Sequence, residues 1–141
     1  MTTDEPLDFG EDPFERTFGQ LRGPIHWPSL TEAETRDRMR ELSEWVNDLV
    51  RRFALEPRVI PPCWAKHTAL VEILSALRDH ERADYADTAS PTAAMDFIRA
   101  LHDAQLFLAD QVSKTQCSVA GHRDDMVASW STTKATGQQA N

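Results

Sequence analysis

The sequence predicts an all-α protein, a three-helix bundle, and three observations carry that expectation. Apolar residues recur at spacings of three and four in three separate stretches. Prolines punctuate those stretches, at Pro28, Pro57, Pro61, Pro62 and Pro91. No segment alternates apolar and polar residues, as a half-wetted strand would, for more than a few positions. With 141 residues and 16.0 kDa, the chain holds one compact domain and is short for two.

The first helix is predicted over residues 30–55. Trp27-Pro28-Ser29 announces it, and Ser29 with Glu32 forms a capping box in which two otherwise unpaired amides find side-chain oxygens. Thr31 with Glu34 offers the same pattern two residues later. Met39, Leu42, Trp45, Val46, Leu49, Val50 and Phe53 then make one apolar stripe. Pro57 closes the helix, because the residue before a proline is pushed out of helical geometry.

The second helix is expected to open at Cys63 or just before it, with Pro62 at the first position, where a missing amide costs nothing. Leu70, Val71, Leu74 and Leu77 line its inner face, Ile73 flanks them, and it runs to about Tyr85. The third starts at Ser90-Pro91 and ends near Ser113. It is expected to bury Ala94, Met95, Ile98, Leu101, Leu108 and Val112, with Phe97 and Leu106 nearby.

Charge divides the chain. Residues 1–24 hold six acids and only Arg16 and Arg22 against them, half of the formal −8. Residues 1–25 therefore read as an acidic, flexible arm, 26–130 as the helical domain and 131–141 as a disordered tail. Phe9, Phe14 and Phe18 in the arm are either chance aromatics in a tail or a docking segment that orders on a partner. An acidic start, where a secretory leader would be basic and then greasy, predicts a cytoplasmic protein. No run is long enough to span a membrane. The acidity also disfavours a nucleic-acid partner.

The chemistry lies in the cysteines. There are two, and each is followed by a histidine at metal-ligand spacing: Cys63-x3-His67 and Cys117-x4-His122. An antiparallel pair formed by the second and third helices, of about equal length, would return Cys117 to the start of the second. The two half-sites then meet as a Cys2His2 zinc site. Such a site fills all four positions with protein and leaves none for an activated water, so the zinc would be structural and the protein not an enzyme. A Cys63–Cys117 disulfide and two unligated buried thiols remain as alternatives. No phosphate loop, nucleotide fingerprint, nucleophile elbow or H-E-x-x-H arrangement is present. Arg51, Arg52, Arg58 and Lys66 form the nearest thing to a basic patch, either a solvated face or a contact for nucleic acid or an acidic partner.

These residues also carry a resemblance. Trp45-Val46 and Leu49 to Leu55, followed by Ile60-Pro61-Pro62-Cys63-Trp64-x-x-His67 and the leucines to Leu77, resemble the actinobacterial "domain of unknown function 4913" family. Cys117-x4-His122 is similar to that family's C-terminal end, and the resemblance covers about residues 26–125. It implies an accessory protein of a plasmid, conjugative element or phage. It implies no reaction. The expected function is a zinc-stapled helical adaptor with a protein partner; the alternative is a DNA-associated accessory factor in conjugation or element control.

Overall fold

The computed structural model describes residues 23–117 and 121–124. Three α-helices dominate: α1 (Glu32–Phe53), α2 (Thr68–Asp84) and α3 (Ala93–Thr115). Single 3-10 turns at Trp27–Ser29 and Trp64–Lys66 precede α1 and α2, and the described residues contain no β-strand. The all-α, three-helix expectation holds. None of these helices is long and apolar enough to cross a membrane.

The start of α1 uses the later of the two capping boxes. Thr31 Oγ1 accepts the Glu34 N–H at 3.2 Å, and Glu34 Oε1 accepts the Thr31 N–H at 3.3 Å. Ser29 instead donates its hydroxyl to the His26 carbonyl at 2.9 Å, closing the 3-10 turn before the helix. The other end stops four residues before Pro57. Ala54 takes left-handed geometry (φ 51°), and the Ala54 and Leu55 amides both return to the Val50 carbonyl.

The expected start of the second helix is corrected. Pro61 and Pro62 supply no amides, and the chain winds through i to i+3 bonds: Trp64 N–H to Pro61 O and Lys66 N–H to Cys63 O. His67 is then extended (φ −115°, ψ 111°), so α2 begins only at Thr68. Cys63 and His67 are therefore not one α-turn apart on a helix.

Leu42, Val46 and Leu49 of α1 meet Leu70, Val71, Leu74 and Leu77 of α2 and Phe97, Leu101, Leu108 and Val112 of α3 in one core. Trp27, Val59, Ile60 and Trp64 close it from the connections, and Ile25 packs at its edge. The α2–α3 pair shares the most extensive interface. On α3 the buried row is Ala93, Phe97, Leu101, Ala104, Leu108 and Val112. Met95, Ile98 and Leu106 face outward, more than 40% exposed, contrary to the expected burial of Met95 and Ile98. The helix carries two apolar rows, and ring packing of Phe97 on Phe53 and Tyr85, at 6.1 and 6.0 Å, fixes which one turns inward.

Across the bundle, Glu81 ties α2 to α1. Its carboxylate accepts Trp45 Nε1–H at 3.0 Å and an Arg52 guanidinium N–H at 2.9 Å.

Candidate metal centre

The α2–α3 hairpin positions the site as the helix lengths require. The chain leaves along α2, turns at 85–92 and returns along α3, which ends beside the start of α2. Gln116, left-handed at φ 60°, breaks α3 and redirects the chain into Cys117. His67 enters from the other side. It is the residue before α2, and only 1% exposed.

The four predicted ligands converge. One ligand atom from each of Cys63, His67, Cys117 and His122 lies within 4.8 Å of all the others. His67 Nε2 stands 3.6 Å from Cys63 Sγ and 3.3 Å from Cys117 Sγ, while His122 Nδ1 stands 3.6 Å from Cys117 Sγ. A tetrahedral ion with metal–sulfur bonds near 2.3 Å and metal–nitrogen bonds near 2.0 Å has sulfur–nitrogen edges of about 3.5 Å. Three of the four sulfur–nitrogen edges, at 3.3–3.6 Å, lie close to that figure. Although Cys63 lies outside α2, the 3-10 turn Trp64–Lys66 curls its sulfur back toward the His67 ring.

The surroundings prepare the ligands unequally. His122 Nε2–H donates to Asp124 Oδ1 at 2.8 Å, which leaves Nδ1 as the lone-pair atom facing the sulfurs. Burial raises the Cys117 thiol. The Arg123 N–H, the Thr115 hydroxyl, Cys63 and His67 outweigh that and bring it down to about 6. Burial pushes the Cys63 thiol up, aided by the neighbouring Cys117, with Lys66 opposing weakly. With no α-helix opening at Cys63, no helix N-terminus favours its thiolate, and Cys117 is the more acidic thiol. Both cysteines are free, so the disulfide alternative is not the arrangement seen.

Asp124 and the Arg123 amide were not anticipated. Asp124 was readable in principle, as a carboxylate two residues after a ligand histidine. The Arg123 contribution is backbone, which no residue type announces.

The four basic residues do not act as one open patch. Arg51 and Arg52 each pair with Asp48 at 3.2 Å, Arg52 also reaches Glu81, and Arg58 pairs with Glu56. Lys66 ends the 3-10 turn beside Cys63. Phe9, Phe14 and Phe18, with most of the arm and the whole tail, lie outside the described residues. No protein-family model, curated protein or solved structure matches the chain.

Proposed function

We propose that this protein is a zinc-stapled helical adaptor, a non-enzymatic interaction protein whose single ion holds the α2–α3 end of the bundle closed. The convergence of both cysteines with His67 and His122 within 4.8 Å, three of its sulfur–nitrogen edges near tetrahedral length, carries the reading. Two thiolates and two imidazoles are a donor set suited to zinc, and the complete set leaves no open position for catalysis. The sequence resemblance supports a setting in an actinobacterial mobile element. A protein partner is favoured over nucleic acid because the net charge is −8 and three of the four basic side chains are engaged by carboxylates.

Native mass spectrometry of the full chain tests the centre. One zinc per chain is expected, lost in Cys63→Ser and bound roughly 10–100-fold more weakly in Asp124→Asn, which removes the carboxylate behind His122. A folded wild type that takes up no zinc overturns the proposal.

A further inference from the structure

The two sulfurs of the centre are the chain's only cysteines, and their settings differ. Cys63 follows two prolines and abuts the buried Trp64. Cys117 lines an open groove of about 570 Å³, together with Pro57, Arg58, Ala109, Val112 and Gln116. Its sulfur accepts the Arg123 N–H at 3.1 Å and lies 3.3 Å from the Arg123 carbonyl oxygen, at the edge of that groove, where a small reagent can reach it. The partner sulfur is close behind, within the 4.8 Å that encloses all four ligand atoms. A reachable cysteine sulfur with a second one beside it is the arrangement that oxidises reversibly.

We infer that Cys117 is a modification site for hydroperoxides, with Cys63 as the resolving thiol, and that its oxidation expels the metal ion. The inference rests on the metal-centre reading. The Cys117 thiolate attacks one oxygen of hydrogen peroxide; the O–O bond breaks, and Cys117 becomes a sulfenic acid as hydroxide leaves and takes a proton. The Cys63 thiolate then attacks that sulfur. The S–S bond forms, the S–O bond breaks, and the second hydroxide is protonated to water. Two thiolates, one peroxide and two protons thus give one disulfide and two waters, with two electrons passing from sulfur to oxygen. The divalent ion loses two ligands and both of their negative charges, and departs. The disulfide still ties the segment before α2 to the segment after α3, while His67 and His122 are freed. The bundle end stays closed in both states, but only the reduced state holds metal.

The test treats the zinc-loaded full chain with hydrogen peroxide and follows released zinc with a chromogenic chelator, alongside peptide mapping. One zinc per chain should appear in step with an intramolecular Cys63–Cys117 disulfide, and reductant with added zinc should restore the starting state. At low peroxide, a sulfenic-acid trap should label Cys117 in the wild type. Trapping at Cys63 overturns the order of attack. Zinc retained under excess peroxide, or Cys117 driven to sulfinic acid with no disulfide, overturns the inference. Failure of the metal-centre reading shows earlier, as a chain that holds no zinc before peroxide is added.

Discussion

Cys117 and Cys63 belong to one candidate ion site yet differ in how readily each gives up its proton. In the metal-free protein, alkylation of Cys117 should reach half its maximal rate near pH 6, while Cys63 should require pH above its ordinary 9.0. Iodoacetamide labelling of chelator-treated protein from below pH 6 to above pH 9, resolved by peptide mass, checks this; coincident midpoints would remove the Arg123 amide as a cause. The sign for stability follows. A thiol lowered in the folded state stabilises the fold fully above its ordinary value, and that contribution is lost as pH falls through about 6. Zinc affinity should fall over the same interval, because protons compete for the ligand. All four members of the cluster were legible in the sequence because residue type and spacing announce them. Their inequality was not, since it arises from burial and one main-chain amide.

Among the helices, α1 and α3 both end on a left-handed residue other than glycine. Ala54 holds a left-handed conformation that costs a β-carbon-bearing residue roughly 1–2 kcal/mol. Ala54→Gly should therefore stabilise the protein by about 0.5–1 kcal/mol, net of the extra freedom glycine gains when unfolded, and denaturant titration reads it directly. A destabilised variant would mean that the methyl packs usefully. Periodicity gave all three helices, and all their ends but the start of α2 to within about three residues. It failed where two solutions fit one pattern. Ser29 and Thr31 both precede a glutamate by three, and the rows through Ala93 and Met95 are both apolar, so only tertiary packing chooses between them. The start of α2 was misplaced for another reason. A proline suits a first helical turn, but the tight turn after Pro61 serves equally well and sets His67 in extended geometry.

At the scale of the whole molecule, an ion held by the cluster would close a loop whose His67 and Cys117 ends lie 50 residues apart, a closure costing about 3 kcal/mol of chain entropy. Chelation should lower the melting temperature by roughly 10 °C or more. Hydrogen exchange should show amides around Cys117 and His122 losing protection first, with those of α1 lost last, because the stripe from Leu42 to Leu49 is buried without reference to the metal. Uniform protection in both states would deny the ion its stapling role. The meeting of the half-sites was readable from helix lengths alone; the groove beside Cys117 was not, since it forms between the Pro57-Arg58 connection and the end of α3, which share no local sequence signal. With an ion bound, the folded hairpin would also act as a rigid tether between two bidentate chelators. Peptides carrying Cys63-x3-His67 and Cys117-x4-His122 separately would each grip zinc weakly. The ratio between their joint affinity and that of the intact chain measures an effective concentration, the local molarity at which α2 and α3 present one pair of ligands to the other.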